Sequence, residues 1–270
     1  MLLFCLLLGN KVDKVMRKSF IQVFFLEVYG IVSFTARFFK ELVTPPYEFT
    51  ETLVQSFLVG FKSLLLISIT AFVMGLVLVL QSRPSLVEFG AGAYVPAMAA
   101  ASIVREIGPM ITGLVCAGNI GSSIAAELGS MKVTEQIDAM EVSGTNPFKF
   151  LVVTRVVGTT LVIPMLVIYA DTVSLTGSFI GANIKDAISF KLFFTEVFDK
   201  LTFKDMMPAF IKSYFFGFAI GIVACYKGFS SEKGTEGVGR SANASVIIAM
   251  VLVILIDMVA AQLGSAFNML

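Results

Sequence analysis

The chain has 270 residues, 57% of them hydrophobic and only 14% charged, with a net charge of +1 and a mean hydropathy of +0.89. A soluble domain carries roughly 25% charged residues, so the main solvent of this chain is a bilayer. The near-zero net charge also removes the sequence-independent pull toward nucleic acid that a strongly basic domain has, and no nucleic-acid partner is expected. Histidine is absent, which excludes HExxH zinc peptidases, Ser-His and Cys-His nucleophile pairs and histidine proton relays. Cys5, Cys116 and Cys225 lie far apart with no CxxC, so neither a metal site nor a disulfide framework is expected. No G-x-x-x-x-G-K-[ST] loop occurs, so any nucleotide energy must come from another chain.

The Leu2 to Leu8 run has no basic residues before it and no A-x-A-like site after it, and does not read as a signal peptide. Ser19 to Ala36 is apolar enough to span. At 100° per residue, however, Ser19, Gln22, Glu27, Gly30, Ser33, Arg37, Lys40 and Glu41 gather in a stripe of about 140°, the pattern of an interfacial amphipathic helix.

Five apolar runs then reach the roughly 20 residues needed to cross a core of about 30 Å: 53–80, 93–126, 156–183, 206–226 and 241–266. The predicted fold is an all-α integral membrane protein. A segment 1–52 contains the interfacial helix, and a five-span domain covers 53–270. With the N-terminus in the cytoplasm, eleven Lys and Arg lie inside: Lys11, Lys14, Arg17, Lys18, Arg37, Lys40, Lys132, Lys149, Lys227, Lys233 and Arg240. Arg83, Lys185, Lys191, Lys200 and Lys204 lie outside. A sixth crossing by Ser19 to Ala36 would erase this positive-inside asymmetry.

The spans carry unusual charges. Arg105 and Glu106 sit in the second, where an ionised group at depth costs about 2.5 to 3.5 kcal/mol. Neighbours on a helix point about 100° apart, so each needs a partner elsewhere. Gly108-Pro109 follows, and a helix break is expected there. The pair reads either as a structural ion pair locking helices or as a polar patch at the floor of a cavity. Asp171 and Asp257 are the lone acids of the third and fifth spans. An intramembrane aspartyl protease would need two carboxylates sharing a proton, but the Gly-x-Gly-Asp context of such proteases is missing. Pairing with Arg155 or Lys212 is the expectation, and Lys62 and Lys212 read as snorkelling near helix ends. Gln81-Ser82-Arg83-Pro84 reads as the end of the first span. Leu78, Gln81, Leu86 and Tyr94, near the outer mouth of the first two spans, are candidates for contact with an acyl chain, with simple interfacial packing as the alternative.

Between the second and third spans the composition changes to ELGSMKVTEQIDAMEVSGTNPFK (Glu127 to Lys149). Val133, Ile137 and Met140 recur at helical spacing among Glu135, Asp138 and Glu141, and Ser143-Gly144 and Asn146-Pro147 supply stop signals. A short helix over about 131–144 is expected outside the membrane. It serves either to press its apolar ridge into a groove on another protein or as an ordinary surface helix.

The run from Asp138-Ala139 through Gly144 to Asn146-Pro147-Phe148 resembles the EAA-type loop of ABC transporter permeases. REIGPMITGLVCAGNIGSSIAAELGSMKVTEQIDAMEVSGTNP (Arg105 to Pro147) and GFSSEKGTEGVGRSANASV (Gly228 to Val246) resemble the MlaE/YrbE permease family of MCE-associated lipid transporters, and the resemblance runs from about Leu53 to the C-terminus. It implies a homodimeric permease in the inner membrane of a diderm bacterium, with no catalytic residue, metal or cofactor of its own. ATP and Mg would sit on a cytoplasmic ABC ATPase, an MCE-domain protein would cover the periplasmic side, and the cargo would be phospholipid or a related lipid. Glu135, Asp138, Ala139, Glu141 and Gly144 fall in the implied coupling helix, and Arg105 and Glu106 at the implied polar floor. Asn119 and Ala244 stand where many relatives carry Arg. The rival reading is a secondary transporter running ions or protons past Arg105, Glu106, Asp171 and Asp257.

Overall fold

The computed structural model describes residues 22, 25–45, 47–184, 188–232 and 234–268, without the side chains of 204, 205 and 265–268. Residues up to Pro45 form one compact unit and those from 46 onward a second.

In the first unit a helix runs over 25–43 (α1), mostly exposed along its length. It extends past the expected end at Ala36, because the chain holds no helix breaker before Thr44-Pro45, where the proline ring ends it. Ser19 to Ile21, and residues 23 and 24, of the expected interfacial helix lie outside the described residues.

The second unit is a helical bundle. Its elements are α2 (Phe49–Glu88), a short turn at Gly92–Tyr94, α3 (Val95–Ser102), a π-helical segment Ile103–Ile107, α4 (Gly108–Val133), α5 (Gln136–Val142), a second π segment Phe148–Val153, α6 (Thr154–Asn183), α7 (Phe190–Lys200), α8 (Phe203–Phe229) and α9 (Thr235–Asn268). Among the described residues five helices are long and apolar enough to cross a membrane: Phe49–Glu88, Gly92–Val133, Phe148–Asn183, Met206–Phe229 and Thr235–Gly264. They correspond to the five expected runs, but all five are longer than read from the sequence. Apolarity marks only the part of each helix within the hydrocarbon, while hydrogen bonding carries the helix on into polar sequence. Gln81-Ser82-Arg83-Pro84 accordingly does not end the helix, since α2 continues through Pro84 to Glu88.

The buried face of α2 consists of Gln55, Val59, Ser63, Ile67, Ala71, Gly75, Val79 and Arg83. A repeat of four places these residues along one i±4 ridge, the geometry by which small residues bring two helices into backbone contact. The ridge meets α6. A Cβ on Gly75 would collide with the Ser174 carbonyl, and one on Gly177 with the Phe72 carbonyl. Across the same seam Ser174 Oγ donates to Ala71 O at 2.9 Å and Ser178 Oγ to Gly75 O at 3.0 Å. α8 approaches α6 in the same way, with Gly217 against the Thr159 carbonyl. α4 meets α9 where Ser245 Oγ donates to Gly121 O at 3.2 Å.

α4, α6 and α8 are the central helices, whereas α2 and α9 turn apolar faces outward, including Phe57, Phe61, Leu65 and Ile69 on one and Ile247, Val251, Ile254 and Met258 on the other. So large an apolar surface belongs in lipid or against another chain. At the end opposite α5, an unexpected amphipathic helix, α7, is capped by Ser189, whose Oγ accepts from Leu192 N. It buries Phe193 and Val197 against α3 and the end of α6.

The α2–α6 seam has no room for a side chain. Gly177→Val is expected to cost about 1–3 kcal/mol, the usual penalty of overpacking, read as a lower unfolding temperature in detergent. Gly264→Val, at a position where a Cβ meets nothing within 4 Å, is expected to leave that temperature unchanged.

Candidate functional site

The intramembrane charges converge on Lys212. Its side chain is buried on α8, and its ammonium donates to Arg105 O at 2.8 Å and to Glu106 Oε2 at 2.9 Å and pairs with Asp257 Oδ1 at 2.8 Å. An ammonium has three protons; two reach acceptors in the segment of Arg105 and Glu106, while the contact with Asp257 of α9 is an ion pair whose Oδ1 receives no hydrogen bond. The contact between Lys212 and the Arg105 carbonyl has a local cause. Pro109, four residues on, has no N–H to give it, and the chain passes this point as the π segment Ile103–Ile107. The helix is therefore not broken at Gly108-Pro109 as expected from the sequence; it widens, and Lys212 supplies the missing donor. Lys212 does not snorkel. Lys62, by contrast, is exposed.

Asp171 of α6 closes the cluster from a fourth side. A Cβ on Gly108 would collide with its carboxylate, and its Oδ1 is buried with no hydrogen-bond partner. Depth follows from the packing. Ile107 and Gly108 share a small cavity with Ala71 and Met74, which lie in the middle of the uncharged stretch from Ser63 to Ser82 on α2. At about 1.5 Å per residue that stretch measures about 30 Å, the thickness of a bilayer core, so the cluster sits near the midplane. Arg105 and Glu106 have their side chains on the outer surface of the single chain, with Glu106 turned back to Lys212. Among the described residues no group of three acidic or Cys side chains is arranged to hold a metal ion.

Asp257 thus has the Lys212 partner that the sequence allowed, but Arg155 does not pair with either aspartate. It is buried at the start of α6 and donates from Nη2 to Glu127 Oε1 at 2.7 Å and from Nη1 to Leu151 O at 3.0 Å. The Glu127–Arg155 link was missed in the sequence, although opposite charges at matching depths on adjacent spans pointed to it.

At the α5 end, α4 runs unbroken to Val133. Glu135 then turns the chain with φ of 60°, the one non-glycine residue with positive φ among those described, a conformation of some energetic cost outside glycine. The helix that follows covers Gln136–Val142, not 131–144: its first turn waits for the Glu135 reversal, and Gly144, at φ of 83°, ends it. Thr145 N donates to Met140 O and Gly144 N to Glu141 O, capping the last carbonyls.

Ile137 is 3% exposed and anchors α5 to the bundle, while Ala139, Glu141 and Val142 face outward, Val142 at 91%. The ridge of Val133, Ile137 and Met140 therefore does not project toward a partner as the spacing suggested, because a seven-residue helix needs its largest aliphatic side chain as an anchor. Asp138 pairs with Lys132 at 2.8 Å, both partners largely exposed, a contact of little stabilising value.

The four candidates at the opposite end separate. Leu78 and Leu86 pack half-buried against the cluster of Val79, Val95, Ile103, Phe193 and Val197, whereas Gln81 and Tyr94 are exposed. α7, unseen in the sequence, packs onto the same cluster as Leu78 and Leu86. Its signal was present as Ser189 followed by Phe193 and Val197 four residues apart.

Residues 52–263 match the family described as Permease MlaE. A probable ABC transporter permease protein of Rickettsia typhi is 34% identical over 228 residues, covering 84% of this chain and 87% of the relative. A probable ABC transporter permease protein of Synechocystis is 30% identical over 233 residues, covering 86% and 89%. Protein trigalactosyldiacylglycerol 1, chloroplastic, of Arabidopsis thaliana is 32% identical over 208 residues, covering 77% and 59%.

Removing the central cation strands its acceptors. Lys212→Met is expected to destabilise the purified chain by about 3 kcal/mol, at the lower end for a broken buried pair because Glu106 is half exposed. Adding Asp257→Leu is expected to restore a large part of that loss, as measured by thermal unfolding in detergent.

Proposed function

The chain belongs to the MlaE permease family, and from that premise we propose that it is the membrane subunit of an ATP-driven transporter of phospholipid or a related lipid, acting in the inner membrane of a diderm bacterium as one of two identical copies. Family membership makes it the permease of an ABC transporter, with ATP hydrolysed by a partner. It also favours this reading over a secondary carrier. The lipid class finds support in the name of the Arabidopsis relative, which is that of a glycolipid. An MCE-domain protein on the outer face would exchange lipid with the permease.

The observation that carries the coupling role is the construction of α5. It is a short capped helix outside the five spans, anchored by Ile137 and showing Ala139, Glu141 and Val142 outward. An exposed valine beside two acids costs the free chain apolar contact with water and suits a groove on a partner. α5 lies between the end of α4 and the start of α6. α4 continues without interruption to the π segment at the Lys212 cluster, and α6 carries Asp171 beside Gly108. Closure of two ATPases would draw the α5 helices of two copies together, and these rods would carry the displacement to the polar centre. There the ion contacts can exchange partners and shift a two-state equilibrium of the lipid path.

The test is charge reversal on α5. Asp138→Lys with Glu141→Lys changes exposed side chains only, so the unfolding temperature should stay the same, while co-purification of an ATPase and lipid-stimulated ATP hydrolysis should fall at least tenfold. Unchanged ATPase recovery and activity would overturn the coupling role of α5.

A further inference from the structure

A second polar feature lies away from the Lys212 cluster, toward the α5 end of the bundle. An open cleft between α2 and α4 is lined on its polar side by Gln55, Lys62, Ser63, Asn119, Ser123 and Glu127, and on its apolar side by Leu58, Val59, Ile120 and Ile124. Its depth is set by α2. Lys62 immediately precedes the uncharged stretch from Ser63 to Ser82, so its ammonium stands at the boundary of the hydrocarbon core, the level of the lipid phosphates.

The charges of the cleft are held apart and open. Lys62 makes no ion pair or side-chain hydrogen bond among the described residues and is exposed. Glu127 is fixed from behind by the buried Arg155 guanidinium at 2.7 Å, yet its own side chain stays half exposed. The two do not pair with each other. The floor between them is rigid: Asn119 Nδ2 donates to Ser63 Oγ at 3.2 Å, and Ser63 Oγ donates to Val59 O at 2.9 Å. Beside the cleft the exposed apolar side chains of Leu58, Phe61 and Leu65 run along α2 toward the midplane.

The geometry points to a seat for the headgroup of an amine-bearing phospholipid from the leaflet at the α5 end, with the phosphate on Lys62, the protonated amine on Glu127 and an acyl chain along the apolar face of α2. A cation and an anion that line one cleft without pairing with each other match a ligand with both charges. A quaternary amine has no N–H to donate to Glu127, and an anionic glycerol headgroup has no positive charge for it, so a primary amine is preferred to either. The inference rests on the lipid reading above for the class of ligand, but concerns binding without ATP or an ATPase.

The test uses the full chain in nanodiscs of phosphatidylcholine containing one part in ten of either phosphatidylethanolamine or phosphatidylglycerol, with retained lipids counted by native mass spectrometry after release. Phosphatidylethanolamine is expected to be retained at least fivefold over phosphatidylglycerol. Lys62→Glu should abolish that preference and Lys62→Arg preserve it, while Lys191→Glu, which alters an exposed charge on α7, should have no effect. Equal retention of the two lipids, or an unchanged preference in Lys62→Glu with an unchanged unfolding temperature, overturns the seat. Displacement of the lipid by millimolar inorganic phosphate also overturns it, in favour of a site for free phosphate. Because no ATPase is present, the seat survives a failure of the coupling test if the lipid preference holds, and falls without it even if coupling is intact.

Discussion

One ammonium in the middle of the membrane organises this bundle. Pro109 leaves the Arg105 carbonyl without its helical donor, and an unsatisfied backbone group at that depth costs several kcal/mol. Lys212 meets that carbonyl, and in doing so brings Glu106 and Asp257 to the same point. Burying a lysine there is itself expensive and is tolerated because two of its protons reach acceptors and the Asp257 carboxylate balances its charge. Gly108 lacks a side chain for a related reason, since Asp171 occupies the space. Four of the five spans thus meet at one polar centre, and the remaining span, α2, joins them through α6, to which it is bound by a ridge of small residues.

Those two kinds of contact have different mechanical consequences. Along α2 and α6 backbone touches backbone, with serine hydroxyls donating across the seam, and such close packing resists sliding. At the polar centre, Lys212 holds carboxylates from two directions and Asp171 keeps a buried oxygen without a partner, so alternative pairings lie within side-chain reach. Under the proposed function, a displacement delivered through α4 would act where other ion pairings lie within reach, which is what a transporter alternating between conformations requires.

Much of this was legible in the sequence and the remainder had identifiable causes. The five spans and α5 were readable because apolar length and an abrupt change in composition are local properties. Helix ends were not, because Pro84 sits inside α2 without ending it and polar residues such as Lys132 continue α4 beyond the lipid. The π segment was mistaken for a break because the donor that rescues it lies about a hundred residues away in the chain. Lys212 was misplaced for the same reason: its distance from a helix end says nothing about the carbonyl opposite it. The amphipathic α7 was passed over as loop, and its packing on Val79 and Val95 is what separates Leu78 and Leu86 from Gln81 and Tyr94. Asn119, noticed as a departure from the family pattern, bridges α4 to α2 through Ser63 and the Lys62 carbonyl, and Ala244 lies beside the Ser245 contact to α4.

The central claim is that this chain is the membrane half of a machine powered from outside itself. The most direct measurement is a mild-detergent pull-down of the full chain from native membranes, with every co-purifying protein and lipid identified. Recovery of an ABC ATPase in a one-to-one ratio, with bound phospholipid, is the predicted result. Recovery of the chain alone, with substrate binding that depends on an ion gradient, would contradict it.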